Sequence, residues 1–273
     1  MDELHPPPVL DDDGEPEQPS AARIYDYLLG GSANFAIDRE AAERLRAIVP
    51  DVPLIMQANR AFLRRAVQFL VAEGIEQFLD LGSGIPTVGN VHEIAQASTP
   101  TARVVYVDLD PVAIAHSHAI LRGNPHATAI RADARQAGVI LAHPEVRRLL
   151  DLGKPVGLLL AALLHFVTDD AAATHLVSTF RDALAPGSYL VLSHGTAEGA
   201  PPELAERSGQ LYARSANPTQ PRSRDQVARF FAGWALVAPG LVYAPLWRPD
   251  NPGDPLHNRP ARAGVLAGVG RKP

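Results

Sequence analysis

The chain has 273 residues, 46% of them apolar and 20% charged, the balance of a soluble globular protein rather than a disordered one. It contains no cysteine, so disulfides, thiolate–zinc sites, iron–sulfur clusters and a cysteine nucleophile are excluded. The net charge of −5 arises in the first 19 residues, which hold seven acids and no base; the remaining 25 basic and 23 acidic residues leave no positive surplus that would point to nucleic acid.

The longest nearly apolar stretch, Val156 to Leu164, is too short to span a bilayer. The start Met1-Asp2-Glu3 has neither the basic region nor the apolar core of a secretory signal. A cytoplasmic protein with no membrane segment is expected. Residues 1–19, with five prolines, read as a disordered acidic tail. Residues 20–273 read as one domain, divided into a helical cap over 20–74 and a core over 75–273.

The cap is expected to hold three helices. Ile24, Tyr27 and Leu28 share a face before Gly30-Gly31 interrupts. Ile37, Ala41, Leu45 and Ile48 repeat at helical spacing, with Pro50 and Pro53 as stops. A third helix runs from about Met56 to Glu73. Strands and helices then alternate. Strands are expected at Gln77 to Leu81, Val104 to Leu109, Thr128 to Arg131, Val156 to Leu163 and Ser188 to Ser193. Helices fall at Val88 to Ala97, Val112 to Leu121, Val139 to Leu150 and Asp170 to Leu184. Two more helices, Pro202 to Ser215 and Ser223 to Phe231, precede final strands at Trp234 to Val242 and Ala263 to Val269.

Such alternation means an α/β fold: a doubly wound, mostly parallel sheet covered on both faces. Between the last two strands lies a proline-rich stretch without helical periodicity, unlike a parallel crossover. The last strand is therefore expected to return antiparallel. Six parallel strands and one antiparallel strand make the seven-stranded layout of class I S-adenosylmethionine (SAM) methyltransferases.

Three acids follow the first three strands in turn. Strand one runs into Asp80-Leu81-Gly82-Ser83-Gly84, whose glycines permit a tight turn and close approach to a ligand. Strand two ends at Asp108-Leu109-Asp110-Pro111, where a carboxylate can accept both hydroxyls of a ribose. Strand three ends at Ala132-Asp133-Ala134, where an oxygen can accept from adenine N6. Open α/β sheets bind ligands at the carboxyl ends of their strands, by the switch in strand order. A dinucleotide site wants a third glycine three residues after Gly84, and Thr87 stands there. A pyrophosphate also wants bare helix amides, whereas acids suit the cationic sulfonium and ammonium of SAM. An NAD-linked oxidoreductase and a non-catalytic SAM-binding protein are the alternatives.

From Pro19 to Lys272 the sequence resembles the bacterial SAM-dependent methyltransferase family long catalogued as a domain of unknown function. The resemblance rests on Ser20-Ala21-Ala22-Arg23-Ile24-Tyr25-Asp26-Tyr27-Leu28-Leu29-Gly30-Gly31, Asn34-Phe35, Asp38-Arg39-Glu40 and Asn59-Arg60-Ala61-Phe62-Leu63-Arg64-Arg65. It continues through the Gly82 loop, Asn90-Val91-His92-Glu93, the Asp108 turn, Leu164-His165-Phe166 and Gly187-Ser188-Tyr189-Leu190. Leu109 departs from it, standing where a polar residue is common. The resemblance implies the fold and SAM as cofactor, and no particular methyl acceptor.

The expected cofactor-binding set is Asp80, Gly82, Ser83, Gly84, Asp108, Leu109, Asp133 and Ala134 from the core, with Tyr25, Asn34, Asn59 and Arg60 from the cap. Arg60 is placed to pair with the SAM carboxylate; alternatively these cap residues pair among themselves and tie a lid to the sheet. His165 and His194, at the ends of strands four and five, are the candidate general bases, with packing at a strand end as their other reading. His116, His118, His126 and His143 show no metal-ligand grouping. A small-molecule acceptor is expected, without nucleic acid or metal.

Overall fold

The computed structural model describes residues 16, 18–86, 89–199 and 218–273. The expected tail and the expected helix at Pro202 to Ser215 thus fall almost wholly outside the described residues. Among them, no helix is long and apolar enough to cross a membrane.

Helix α1 (Ala21–Leu28), α2 (Ala36–Ile48) and α3 (Val52–Ala72) form the N-terminal part. Helix α3 starts four residues before its expected beginning. Pro53 lies in its first turn, where a missing N–H costs nothing, and so opens this helix instead of closing the one before.

The core follows as β1 (Gln77–Leu81), α4 (Val91–Ser98), β2 (Arg103–Asp108), α5 (Pro111–Ile120) and β3 (Ala127–Arg131). Then come α6 (Ala137–Ala142), α7 (Pro144–Leu149), β4 (Gly157–Ala161), α8 (Asp170–Ala183), β5 (Tyr189–Gly195) and α9 (Arg224–Arg229). The chain ends with β6 (Ala235–Leu236), β7 (Val242–Tyr243) and β8 (Val265–Arg271). The expected helix over 139–150 is two helices, because Pro144 cannot continue the first. Strand β4 ends two residues early, at a turn where Ala162 has φ +55°. The single strand expected at 234–242 is two short pieces, separated by Pro239 and Gly240.

The sheet order is β3-β2-β1-β4-β5-β8-β6, with β7 also on β8. Strands β1 to β5 are mutually parallel. Strand β8 runs antiparallel to β5, β6 and β7, so the last strand reverses as expected, and β6 and β7 together fill the one remaining position of the expected seven-stranded layout. The order switches at β1, between β2 and β4.

Strand alternation assigns the two faces. Leu79, Leu81, Val105, Val107, Leu158 and Leu160 pack toward α6, α7 and α8. Phe78, Val104, Tyr106 and Leu159 pack toward Phe62, Ala66 and Leu70 of α3 and Val91 and Ala95 of α4. Trp247 is fully buried on this second face, edge-on to Phe62 and Phe69. Arg65 of α3 holds its segment by donating to the carbonyls of Ala244 and Trp247 and to Asp254. Trp234 and Trp247 are therefore packing residues.

Gly157 shows how closely α3 meets the sheet: a Cβ there would come within 2.8 Å of both Leu70 and Phe78. Gly157→Ala should cost about 1–3 kcal/mol by overpacking, measured by urea denaturation; an unchanged midpoint would mean that this contact is loose.

Candidate functional site

The alternation that builds the core also places the site. Asp80 shares a face of β1 with Phe78, and pairs in register with Tyr106. Its carboxyl thus points toward α3, where Arg60 lies one turn before the core residue Leu63. Arg60, Asp80, Ser83, Gly84, Asn90 and Tyr106 line one narrow cleft at the carboxyl end of β1. Burial raises the Asp80 pKa to about 7; Arg60 opposes the shift and Asp108 adds to it. Tyr106 accepts from the backbone N–H of His92 and shares a hydrogen bond with its Nδ1, which anchors the first turn of α4 to β2.

The loop after β1 folds back over the end of β2, where the amides of Gly82 and Ser83 both donate to the Val107 carbonyl. Gly82 and Gly84 have φ of +65° and +66°, a region open to glycine and strained for other residues. A Cβ on Gly82 would strike Leu163 at 2.5 Å, whereas one on Gly84 would project into open space. The Ser83 hydroxyl is buried with no hydrogen-bond partner among the described residues.

Asp108 completes this end of the sheet. One carboxylate oxygen accepts from the Gly84 amide at 2.7 Å, the other from the Asp110 amide at 2.8 Å. Burial raises its pKa, and these amide hydrogen bonds pull it back down. The Leu109 amide adds a further hydrogen bond, and the carboxylate keeps acceptor capacity beyond these three. Asp110 is the N-cap of α5, accepting from Val112 and Ala113. Leu109, between them, is 40% exposed.

These residues fit SAM. The acids offer acceptors to hydroxyls and counter-charge to a cation, Gly84 faces open space, and the Ser83 hydroxyl has no partner among the described residues. Asp133 is less available: Arg135 spans both its oxygens and donates its amide to one of them. Ala134 packs at the edge of the core. A wider hollow lined by Arg103, Arg147, Arg148 and Asp151 lies at the amino edge of the sheet, away from the ends where such folds bind ligands.

The cap residues divide into two groups. Asn34 donates to Asp26 and the Gly31 carbonyl, closing the loop between α1 and α2. Asn59 and Tyr25 reach farther. Ser193 of β5 donates to Asn59 Oδ1 at 2.6 Å, Asn59 Nδ2 donates to the Tyr25 hydroxyl, and Tyr25 donates to the Met56 carbonyl. This chain ties α1 and α3 to the end of β5.

His194 is fully buried. Its Nδ1 lies 2.7 Å from the Gly195 carbonyl, so this nitrogen carries the proton, and Nε2 accepts from Arg222 at 3.0 Å. Burial lowers its pKa to about 4. His165 sits in the turn after β4, its ring edge-on to His194. Burial, with His194 and Arg222 adding to it, lowers its pKa to about 3. Arg222, also buried, donates to Asp170 and to the carbonyls of Leu164 and Val167. The pair thus clusters with Arg222 between β4, β5 and the chain before α9, with His194 buried and His165 half-buried.

Sequence reasoning missed Tyr106, Arg222 and Arg23. Period-two alternation from Asp108 would have found Tyr106. The partners of Arg23 and Arg222 are 15 to 87 and 28 to 58 residues away for their side-chain and strand contacts, and no local pattern announces them.

The profile of the S-adenosyl methyltransferase family matches residues 10–273. The crystal structure of a candidate methyltransferase from Thermobifida fusca is 41% identical, with a TM-score of 0.89, over 98% of this chain and 99% of that one. A DUF574 family protein from Streptomyces avermitilis is 40% identical, also at a TM-score of 0.89, over 94% and 98% of the two chains. A Bordetella parapertussis protein, 19% identical over 94% of this chain and 81% of its own, has a TM-score of 0.55 and shares the fold alone. No curated protein matches the sequence. The nicotinamide alternative falls with the family match: the chain belongs to the S-adenosyl methyltransferase family, with the class I fold and SAM as its cofactor.

Proposed function

We propose that the cleft at the ends of β1 and β2 holds SAM and that the methyl acceptor is a small molecule. The observation that carries the cofactor reading is the Asp108 carboxylate, fixed by the Gly84 and Asp110 amides beside a cleft that also holds Asp80 and Arg60. The cofactor supplies a methyl group on a positively charged sulfur, an electrophile that needs no further activation. The chain's part is then to bind, orient and keep water out.

In this reading Asp108 accepts from the ribose hydroxyls. Leu109 offers an apolar surface to adenine, and Asp133 and Ala134 edge the base. Gly82 and Gly84 let the backbone approach, and Ser83 gains the partner it lacks. Asp80, ionised, faces the cationic end, and Arg60 pairs with the carboxylate. Tyr25 and Asn59 hold the cap over the cofactor, and Asn34 shapes the cap loop. His194, buried with both ring nitrogens hydrogen-bonded, takes no proton, and the lowered pKa of His165 makes it a weak base, so the acceptor's nucleophile is competent by itself or through solvent. The near-neutral charge of the body favours a small acceptor over a nucleic acid. A screen of candidate acceptors for S-adenosylhomocysteine release tests this; turnover on DNA or RNA alone would overturn it.

Asp108→Asn should weaken SAM binding about tenfold or more, because a charged acceptor to the hydroxyls is lost. Calorimetry checks this, and unchanged affinity would contradict the assignment. Asp80 makes a second prediction. Its pKa in the fold, about 7, lies above the ordinary carboxylate value. Its contribution to stability is therefore present at acid pH and lost as pH rises through 7. A cation favours the ionised form, so SAM binding near pH 6.5 should release a proton, and affinity should rise from pH 6 to 8. Asp80→Asn should abolish both effects; an unaltered pH dependence would remove Asp80 from the site. The histidines act on the other side. Their pKa values of about 3 and 4 lie below that of the unfolded chain, so the stability they contribute is lost as pH falls from about 6.5 toward 4. Their ring NMR shifts should stay constant from pH 8 to 5.5; a titration near 6.5 would restore them as candidate bases.

A further inference from the structure

Arg23 is almost wholly buried, yet it is not one of the residues that line the cleft. Its Nε donates to Asp38 at 2.7 Å, its Nη1 to Asp110 at 3.0 Å and its Nη2 to the Gln18 carbonyl at 2.8 Å. The two carboxylates belong to different parts of the molecule. Asp38 organises the cap by accepting from the amides of Ser20 and Phe35. Asp110 sits in the turn after β2, where its other oxygen caps α5 through Val112. The amide of this same Asp110 donates to Asp108.

We propose that Arg23 is a positioning residue for the cofactor, acting through Asp110 to set the carboxylate of Asp108. The inference rests on the reading of Asp108 as the ribose acceptor. The physical reason lies in the burial of the group. Asp38 is fully buried and Asp110 nearly so. With the guanidinium present, each has a charged partner. Without it, two carboxylates lose that partner in a site with little water, and each must take up a proton or turn outward. The same carboxyl caps α5 through Val112, so an Asp110 that turns outward releases that cap and loosens the turn on which its own amide stands. That amide holds one oxygen of Asp108, and the Gly84 amide holds the other. Arg23 also lies over the Phe35 ring, 5.5 Å from its centroid, so the guanidinium is fixed from the cap side. Binding of the nucleoside thereby depends on a docked cap, although no atom of Arg23 reaches the cleft.

The test measures adenosine affinity by calorimetry, well below the melting temperature of each variant. Adenosine carries the ribose but neither the sulfonium nor the amino acid, so it reads the Asp108 end alone. Arg23→Met, similar in length and uncharged, should weaken adenosine about tenfold. A lower melting temperature with adenosine affinity within twofold of wild type would show a purely structural residue and overturn the proposal. If Arg23→Met does not fold, Asp110→Asn decides: its amide oxygen can still cap α5, while the charged link to Arg23 is gone. It should weaken adenosine about threefold, and unchanged affinity would again overturn the proposal. Asp108→Asn separates the two levels. If it leaves adenosine binding intact, the ribose reading fails and this inference with it. If it weakens adenosine while Arg23→Met and Asp110→Asn do not, only the role of Arg23 is lost.

Discussion

A carboxylate buried at the end of a strand must find donors within the fold or give up its charge. Asp108 finds them in the amides of Gly84 and Asp110, and much of the surrounding architecture follows from that need. The Gly84 amide can reach it because Gly82 and Gly84 take backbone angles that let the loop after β1 double back over β2. The Asp110 amide can reach it because Asp110 is held as the N-cap of α5, just before Pro111. One acid thus joins two βα turns at the place where the sheet order switches. The acceptor capacity left over is what the proposed ribose contact uses.

The N-terminal helices are tied to the sheet by contacts that their own sequence does not announce. Helices α1 and α2 bury a small apolar cluster of their own, centred on Leu28, Ala42, Leu45 and Val52. That cluster is separate from the two large cores of the sheet. Polar bridges make the connection. The Ser193–Asn59–Tyr25 chain reaches β5, and the Asp38–Arg23–Asp110 triad reaches the turn after β2. Directional bonds of this kind fix an orientation that apolar packing would leave loose.

The sheet was largely legible in the sequence because its signals are local. Five apolar runs, each followed by a turn and a helical repeat, name the parallel strands, and the missing helix after Val242 names the reversal. Boundaries failed where one residue carries two meanings. Pro53 reads as a stop and acts as a start, and Pro144 divides what periodicity joins. Of the candidate site, the placement of Asp80, Asp108 and the two glycines at the ends of β1 and β2 was legible, since each follows an apolar run. The roles of the histidines were not, because they depend on Arg222, whose guanidinium reaches His194 from a segment 28 residues farther along the chain. Arg23 and its partner Asp110, 87 residues apart, are hidden for the same reason: a buried ion pair leaves no periodic trace.

The most direct test of the account is diffraction from crystals of the protein grown with S-adenosylhomocysteine. Difference density should place the ribose hydroxyls on the Asp108 carboxylate, with the glycine loop in its present form and the amino-acid end toward Asp80 and Arg60. Density for the nucleoside elsewhere, or an Asp108 carboxylate without contact to it, would contradict the central claim.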